Sequence, residues 1–439
     1  MTKSVAICTL GCKVNAYESE AVAEQFAKRG FFLTDFDQAA DVYIINTCTV
    51  THLSSRKSRQ MIRRTKQLNP NAVLVVMGCY AQTAPEEVAA IPEVDLILGT
   101  GDKGRTADVV EEFLLTRKRA CLVSGLDEKD EFEELCVTSY EGRSRAFLKV
   151  QDGCNNFCSY CIIPYARGRI RSRSLESCVA EAKRLSQSGF SEIVLVGIHL
   201  ASYGKERGGP YLIDLLAELN KIDGIARIRL GSLEPTLFDD TFTQQIAGLS
   251  KICRHFHLSL QSGCDETLIR MNRHYSTADY EAAVLKIRRA LPGAAITTDI
   301  MVGFPGETEE EFLNTLTFVE KIGFADAHVF KYSVRKGTKA EKMDGQVAPE
   351  VKEDRSRRLI GLVKTLNQQF VASYIGKTVS VLFEQEHKGI PNLYEGKTDN
   401  YITVLAKSQR DVSGEFHTVA ITGEKDGLAI GELTEEHKN

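Results

Sequence analysis

The sequence predicts an α/β protein with three parts: a doubly wound parallel sheet, a (β/α)6 partial TIM barrel and a small β-barrel. Short apolar runs alternate with helix-like stretches up to about residue 370, which is typical of parallel sheets covered by helices. Near the C-terminus, short strands separated by glycine turns predict the β-barrel. A chain of 439 residues is also expected to form two or three domains rather than one.

Composition and charge limit the classes of protein that fit. The formal net charge is −4, so only local basic patches can indicate a nucleic-acid partner. No signal peptide is evident, and no apolar run reaches the roughly 20 residues of a membrane span, so we expect a cytoplasmic protein without a membrane partner. Twelve cysteines in such a chain favour metal or redox chemistry over structural disulfides.

In the first part, expected over residues 1–135, three cysteines follow three different strands. Strands are predicted at residues 5–10, 42–46, 73–77 and 94–98, and Cys12, Cys48 and Cys79 come just after the first three. Because sites in parallel sheets form at the carboxyl ends of strands, these thiols are predicted to converge. The alternative is that buried cysteines fall at strand ends by accident.

The two helices after the first and second strands carry further signals. Asn15 and Glu18 have the spacing of a capping box, which predicts the start of the first helix. The second helix, expected to end at about residue 68, carries Arg56, Arg59 and Arg63 on one face. This face is either a solvated basic surface or a surface that contacts RNA phosphates.

The second part, expected over residues 140–370, opens with another group of three cysteines. Cys154, Cys158 and Cys161 follow an apolar run at residues 146–150 with the spacing CxxxCxxC. Three such thiolates can hold three irons of a four-iron cluster and leave the fourth iron open to a ligand. A zinc knuckle would need a fourth ligand at short spacing, and none follows Cys161. Three unrelated buried thiols are the remaining alternative.

Five more βα units are expected to complete the partial barrel. Strands are predicted at residues 193–196, 228–230, 256–260, 296–301 and 327–330, and helices at 175–188, 212–219, 237–247, 277–290 and 307–321. Polar or glycine-rich loops follow these strands, so the chemistry is expected at their carboxyl ends.

The cysteine motifs carry a resemblance to known enzymes. The CxxxCxxC motif, with Tyr160 before its last cysteine, resembles that of the radical S-adenosylmethionine (SAM) enzymes. Together with the segments 9–15, 46–50 and 78–82, it makes essentially the whole chain resemble the methylthiotransferases. The run Gly-Cys-Lys-Val-Asn at residues 11–15 is similar to the branch that acts on N6-threonylcarbamoyladenosine (t6A) at position 37 of tRNA.

The resemblance implies two [4Fe-4S] clusters, with SAM as cosubstrate. Cys154, Cys158 and Cys161 would hold the cluster whose open iron binds SAM, and reduction would then yield a 5′-deoxyadenosyl radical. The N-terminal domain would hold the auxiliary cluster on Cys12, Cys48 and Cys79. Looser candidates for the SAM pocket are Tyr160, Gly197, Glu234, Gln261, Arg273, Gly303 and Gly306.

The implied activity is the conversion of t6A37 to its 2-methylthio derivative. One SAM would methylate a sulfur associated with the auxiliary cluster, and a second would supply the radical that removes the C2 hydrogen. The implied partners are the tRNA anticodon loop, a reductant such as flavodoxin or ferredoxin, and a sulfur donor. Alternatives are the same chemistry on N6-isopentenyladenosine in tRNA or on a ribosomal protein, or a non-enzymatic RNA-binding protein with zinc or an iron–sulfur cluster.

Two further features concern RNA binding. Arg167, Arg169, Arg171 and Arg173 alternate after the second cysteine group, and in an extended chain they would point one way, as a phosphate rail or as a solvated edge. The third part, residues 371–439, is expected to be a five-stranded barrel of the oligonucleotide-binding kind, with strands at 378–384, 401–406, 416–421 and 428–433. The resemblance to the methylthiotransferases implies that this barrel is a TRAM domain. From residue 375 onward it has seven Lys and Arg against eleven Asp and Glu, so it is not a general attractor of RNA.

Overall fold

A computed structural model describes residues 3–49, 52–126, 131–138, 140 and 143–434, without the side chains of residues 52–56. Among these residues, no helix combines the length and the apolar character that a membrane span requires.

The N-terminal part is a six-stranded parallel sheet with the strand order β2-β1-β3-β4-β5-β6. Its strands are β1 (Ser4–Thr9), β2 (Phe32–Leu33), β3 (Val42–Thr47), β4 (Val73–Gly78), β5 (Leu96–Leu98) and β6 (Ala120–Leu122). Its helices are α1 (Lys13–Lys28), α2 (His52–Leu68), α3 (Cys79–Thr83), α4 (Pro85–Ala89) and α5 (Thr106–Thr116).

Successive side chains of each strand enter two separate cores, one on each face of the sheet. Ile44 packs on one face with Phe26 of α1, whereas its neighbours Tyr43 and Ile45 pack on the other face with Ile62 of α2. Both faces are therefore covered by helices, which confirms the predicted doubly wound sheet. The short strands β2 and β6 were not predicted, because two or three residues carry too little periodicity.

In the described residues of the central part we find eight strands and eight α-helices. The strands are β7 (Ala146–Lys149), β8 (Gln151–Asp152), β9 (Arg171–Ser172), β10 (Glu192–Val196), β11 (Arg227–Leu230), β12 (His255–His257), β13 (Ala295–Val302) and β14 (Asp326–Lys331). The helices are α6 (Ile163–Arg167), α7 (Leu175–Gln187), α8 (Leu212–Asn220), α9 (Asp240–Ala247), α10 (Asp265–Arg270), α11 (Thr277–Ala290), α12 (Glu309–Ile322) and α13 (Pro349–Ala372).

Six of these strands form a curved parallel wall. Two three-stranded sheets, β7-β10-β11 and β12-β13-β14, meet through parallel bridges from Ile228 to Ile252 and from Leu233 to Leu258. Ile228 and Leu230 pack into the large core that includes the helices, so Arg229 between them lies on the inner face of the wall. This arrangement agrees with the predicted partial barrel, with an inner face of polar side chains.

The C-terminal part is a closed barrel with the strand order β15-β16-β17-β19-β18. Its strands are β15 (Thr378–Glu386), β16 (Leu393–Thr398), β17 (Thr403–Lys407), β18 (Phe416–Lys425) and β19 (Leu428–Leu433). The strand β16 was not located from sequence, because it alternates charged residues around Gly396 and has low β-propensity. A Cβ atom at Gly396 would lie 2.5 Å from the carbonyl oxygen of Leu382, so the close strand approach requires glycine there.

Two buried arginines of β11 attach this barrel to the inner wall. Arg227 and Arg229 donate hydrogen bonds of 2.7 to 3.0 Å to backbone carbonyl oxygens of the barrel. The acceptors are Ser380, Lys397, Thr398 and Asp399. The C-terminal barrel is therefore held against the central part by direct hydrogen bonds, and not by the connecting chain alone.

Candidate active site: two cysteine triads at strand ends

Cys12, Cys48 and Cys79 follow β1, β3 and β4, which are adjacent in the sheet. A Cβ atom at Gly11 would lie 3.2 Å from the Cys48 sulfur, so the Cys12 loop passes close to Cys48. Cys12 also interacts electrostatically with Cys48, and Cys79 with Cys12. The structure therefore brings the three cysteines of this auxiliary triad together at one edge of the sheet.

Glycines allow the sharp turns that precede two of these cysteines. Gly11 has φ +118° and Gly78 has φ +95°, values that side chains other than glycine rarely adopt. At Gly78 a Cβ atom would also lie 2.5 Å from the Asn46 Oδ1 atom. Each turn directs the following cysteine away from its strand axis toward the shared edge.

Asn15 holds the loops of the auxiliary triad and does not cap a helix. Helix α1 begins at Lys13 with Cys12 at the N-cap position. The Asn15 Nδ2 atom donates to the carbonyl oxygens of Leu10 (2.9 Å) and Thr47 (3.0 Å), which joins the first two loops. Glu18 is fully buried in an ion-pair network, so the predicted capping box is wrong.

Cys154, Cys158 and Cys161, the radical triad, lie in one tight loop after β8. A Cβ atom at Gly153 would lie 1.8 Å from the Arg169 carbonyl oxygen, so this loop is pressed against the segment before β9. The Cys154 amide donates to the Gly168 carbonyl oxygen (3.1 Å), and the Cys161 amide donates to that of Cys158 (2.9 Å). Cys161 interacts electrostatically with both other cysteines.

Two cysteines of each triad sit in surroundings that favour the neutral thiol in the absence of a metal. Burial raises the pKa of Cys154 to about 11 and that of Cys161 to about 12. Burial also raises the pKa of Cys12 and Cys79, although the charge of Arg167 opposes the shift. Binding of a cluster must therefore release protons from these thiols.

The donor sets suit iron–sulfur clusters better than single ions. Within the part of the chain that the structure describes, no group of three His, Cys, Asp or Glu side chains is arranged to hold one metal ion. A four-iron cluster needs three thiolates that each bind a different iron, which is a wider arrangement. Two all-sulfur triads, each on turns that only glycine permits, fit this requirement.

A buried ion pair adjoins the radical triad. The Arg273 Nη2 atom donates to both carboxylate oxygens of Glu234, at 2.7 and 2.8 Å, while its Nη1 atom lies 3.2 Å from the Cys158 sulfur. Burial opposes ionisation of Glu234, but the hydrogen bond with His199 and the charge of Arg273 outweigh it and lower the pKa of Glu234. Asn156, in the cysteine loop, donates to the same carboxylate (3.4 Å).

Tyr160 adjoins this pair, and Gly303 and Gly197 are connected to it through intervening residues. Tyr160 interacts electrostatically with Arg273 and packs edge-on against Phe304, with ring centroids 6.4 Å apart. The Gly303 amide, which precedes Phe304, donates to the Glu307 carboxylate (2.9 Å). A Cβ atom at Gly197 would lie 3.0 Å from Gln151 Cβ, and the Gln151 side chain in turn accepts from the His199 amide (2.7 Å).

Gln261 and Gly306 have other neighbours. Gln261 adopts φ +67°, and its backbone bonds with Asp299 and Met301 of β13. The Gly306 amide donates to the Gly345 carbonyl oxygen (2.8 Å). The assignment of all seven candidates to a SAM pocket stays a prediction.

The predicted arginine rail is wrong for three of its four members. Arg167 is fully buried, and Arg173 and Arg171 are only 2% and 9% exposed. Arg173 pairs with Glu181 of α7 and bonds to Tyr17 of α1, so it joins the first two parts of the chain. The guanidinium groups of these arginines form internal ion pairs and hydrogen bonds, because the segment that carries them lies between two parts of the protein and not at an exposed edge.

The remaining RNA candidates have different surroundings. Arg169 is exposed, with its guanidinium 4.9 Å from the ring centroid of Phe157 in the radical triad loop. Arg63 is exposed, whereas Arg59 is half-buried and donates to the Tyr80 hydroxyl (3.3 Å) next to Cys79. The Arg56 side chain lies outside the described residues.

Sequence reasoning missed the network that links Arg167 to the auxiliary triad. Arg167 donates to Glu18 (2.9 and 3.1 Å), Asp152 (3.0 and 3.1 Å) and Asn15 (2.8 Å), and it interacts electrostatically with Cys79. Two lysines join the same cluster: the Lys149 ammonium lies 2.8 Å from Glu18 and 2.7 Å from Asp152, and the Lys103 ammonium lies 3.3 Å from Glu18. The one available signal was Lys149 itself, a charge at the end of an apolar strand.

Two family models match separate stretches of the chain. Residues 4–99 match a family described as Uncharacterized protein family UPF0004, and residues 148–319 match the Radical SAM superfamily. The structure of the radical S-adenosylmethionine methyltransferase TsrM from Kitasatospora setae shares the fold with a TM-score of 0.55 over 75% of each chain, at 15% identity. Fold and radical triad thus define a radical SAM enzyme.

Relatives with high sequence identity show which family of radical SAM enzymes the chain belongs to. Threonylcarbamoyladenosine tRNA methylthiotransferase MtaB from Bacillus subtilis is 42% identical over 95% of this chain and 93% of its own length. The enzyme of the same name from Aquifex aeolicus is 40% identical over 93% of this chain and 98% of its own length. A tRNA-2-methylthio-N(6)-dimethylallyladenosine synthase from Finegoldia magna is 34% identical over 95% of this chain and 94% of its own. The chain belongs to the radical SAM methylthiotransferase family.

Proposed function

We propose that this enzyme converts t6A at position 37 of tRNA into its 2-methylthio derivative. The observation that carries the proposal is the identity of 40 to 42% to two relatives named for threonylcarbamoyladenosine, over more than nine tenths of the chain. Relatives named for dimethylallyladenosine reach 34 to 38% identity. The second candidate substrate is therefore N6-isopentenyladenosine.

We propose two [4Fe-4S] clusters, one on each cysteine triad, held in the N-terminal domain and the radical SAM domain. When bound, the cluster on the radical triad supplies the electron that cleaves SAM. The chain's own contribution at this site is the buried pair of Arg273 and Glu234. This pair places one positive and one negative group beside Cys158, where they could contact the ionic groups of SAM. Burial of this pair also keeps bulk water away from the reacting atoms.

The proposed partners follow from the same chemistry. The anticodon loop of tRNA would lie over the two triads, with phosphate contacts from Arg63 and Arg169 on the exposed surface. A reductant such as flavodoxin or ferredoxin and a sulfur donor complete the reaction. We assign the enzyme to the cytoplasm, where it would meet tRNA.

Nucleoside analysis tests the proposed substrate. In a strain that lacks its own t6A methylthiotransferase, this chain should restore 2-methylthio-t6A in digested tRNA, measured by mass spectrometry. Cys12→Ala and Cys158→Ala should not restore it, because each removes a thiolate from one triad. Cys121→Ala, at an exposed cysteine outside both triads, is the matched control. The appearance of only 2-methylthio-isopentenyladenosine would refute the proposal in favour of the second candidate.

The number of clusters is tested by iron analysis. Anaerobic reconstitution should give about eight irons per chain, and Cys12→Ala or Cys158→Ala should each give about four, because a triad that has lost one thiolate no longer holds its cluster. After reduction with dithionite, each variant should show the electron paramagnetic resonance signal of one cluster type. Four irons in the unaltered chain would contradict the assignment of two clusters.

A further inference from the structure

Basic side chains from all three parts of the protein meet on the inner face of the barrel wall, beside the auxiliary triad. We call this group the cationic recess. It consists of Lys13, Arg145, Arg229, His255, Lys397 and Tyr401. Neither the clusters nor the SAM pocket accounts for it.

Tyr401, from the C-terminal barrel, lies at the centre of the recess. Its ring stacks on His255 of β12, with centroids 4.6 Å apart and planes 18° apart. The guanidinium of Arg229 and the ammonium of Lys397 lie 4.9 and 4.7 Å from its centroid. Lys13 interacts electrostatically with the Tyr401 hydroxyl, with Arg145 and with Arg229. Four cations thus surround one aromatic ring.

Within the described residues, both arginines of the recess form ion pairs with carboxylates. Arg229 pairs with Glu192 at 2.7 Å, and Arg145 pairs with Glu384 at 2.6 Å. Among the described residues, no carboxylate lies within 4.0 Å of the Lys13 or Lys397 ammonium groups. Both ammonium groups act on Tyr401, and the like charges of Arg145 and Arg229 oppose the charge of each lysine. The recess therefore favours an anionic ligand beside Tyr401, within reach of the two lysines.

The two lysines are also accessible. Lys13 is exposed, and Lys397 and Tyr401 are partly exposed, in contrast to the fully buried network around Arg167. Lys13 directly follows Cys12, and it interacts electrostatically with Cys12 and with Arg145 and Arg229 of the wall. A ligand bound there would lie next to the auxiliary triad.

Given the proposed function, we propose that Lys13 and Lys397 bind the carboxylate of the threonylcarbamoyl group of the substrate nucleoside. In adenine, C2 and the N6 substituent lie on the same edge of the base. A carboxylate carried on N6 therefore reaches the wall beside the cluster when C2 faces that cluster. An isopentenyl group has no charge to place there, so the two lysines select for t6A.

The inner face next to the recess can accommodate the base itself. His257 and His328 follow His255 along this face, with ring centroids 6.2 Å apart. Phe330, two residues beyond His328 on the edge strand β14, is a large apolar side chain that is 46% exposed. Unstacked RNA bases bind to such aromatic side chains. The recess would then hold the substituent of a base that is stacked on this face.

The test is equilibrium binding of three anticodon stem-loop RNAs to the anaerobically reconstituted enzyme, followed by fluorescence anisotropy. The RNAs carry t6A, its threonine methyl ester or plain adenosine at position 37. The unaltered enzyme should bind the t6A RNA about tenfold more tightly than the ester RNA. A factor of about ten is what the loss of one hydrogen bond to a charged group usually costs. Lys13→Met and Lys397→Met should each reduce this ratio toward one, and Lys13→Arg should keep most of it.

The controls separate a carboxylate contact from other roles. Lys407→Met, at an exposed lysine of β17, should leave the ratio unchanged. Equal weakening of all three RNAs by Lys13→Met and Lys397→Met would show contacts to RNA phosphates and would overturn the proposal, as would an unchanged ratio. Because Lys397 lies far from both triads in sequence, its variant tests the proposal even if Lys13→Met loads less iron.

The same RNAs separate this inference from the proposed function. If the unaltered enzyme methylthiolates the t6A RNA while Lys13 and Lys397 prove irrelevant to the ratio, only the recess assignment fails. If it modifies an isopentenyladenosine RNA and not the t6A RNA, the proposed function fails, and the recess assignment fails with it.

Discussion

Arg167 shows at the residue scale how the two halves of the site are held together. It is the last residue of α6, the helix after the radical triad, and is fully buried beside the auxiliary triad. Its planar fork satisfies two carboxylates and one amide at once, an arrangement that a lysine cannot reproduce. The partners Glu18 and Asn15 come from α1, so the contact fixes the distance between the two triads.

Arg167→Met should destabilise the junction of the first two parts. The variant leaves Glu18 and Asp152 buried with fewer counter-charges, and breaking a buried pair of this kind costs about 3 kcal/mol. We expect a lower urea midpoint for loss of near-ultraviolet circular dichroism. Arg289→Met, at an exposed arginine of α11, is the control and should keep the original midpoint. Equal midpoints for both variants would contradict a structural role for the Arg167 network.

At the scale of elements, strand ends and the turns after them position the chemistry. Parallel strands bring Cys12, Cys48 and Cys79 to one edge although each pair is separated by an intervening helix. The radical triad is instead local, formed by a single loop folded against the segment before β9. One triad depends on the register of three strands and the other on one turn.

Gly153→Ala should therefore disrupt only the cluster on the radical triad. The added Cβ atom would lie 1.8 Å from the Arg169 carbonyl oxygen, so the loop that carries Cys154 must move. We expect iron content to fall to about four per chain, with a corresponding loss of visible absorbance. Gly189→Ala shares a positive φ, +94°, but its Cβ atom would meet nothing within 4 Å, and it should keep full iron content. Equal iron in both variants would show that the close approach at Gly153 is dispensable.

At the scale of the whole molecule, the three parts enclose one site. The N-terminal sheet contributes the auxiliary triad and Lys13, the partial barrel the radical triad, and the C-terminal barrel Lys397 and Tyr401. Arg227 of β11 fixes the last part by donating to the carbonyl oxygens of Ser380 and Lys397. The C-terminal barrel thus acts through position, since its own composition is acidic.

Arg227→Ala should loosen the C-terminal barrel without unfolding it. The variant loses two hydrogen bonds to the barrel and the contact between the guanidinium and the Phe416 ring, 4.6 Å from its centroid. We expect faster trypsin cleavage between α13 and β15 and a larger radius of gyration by X-ray scattering. Arg410→Ala, on the exposed surface of the barrel, is the matched control. Unchanged cleavage in Arg227→Ala would indicate that other contacts suffice for docking.

The sequence alone predicted those features that depend on local spacing. Strand and helix periods, the glycines before Cys12 and Cys79, and the CxxxCxxC loop are all patterns within a few residues, and the structure places them accordingly. Resemblance to known motifs added the enzyme class, which the relatives confirm. Both Glu234 and Arg273 were candidates for the pocket, but the ion pair between them was not predicted.

Only the tertiary structure decided which charges are buried and which face a ligand. Arg167 and Arg173 have the alternation of an exposed edge, yet they are enclosed, because their partners come from α1 and α7. Arg167 and Asn15 are 152 residues apart, and no local pattern reports such a contact. The cationic recess is of the same kind, since three parts of the chain must dock before its charges meet. Local spacing determines where a thiol sits, whereas the environment of a charge is set by whichever distant segment packs against it.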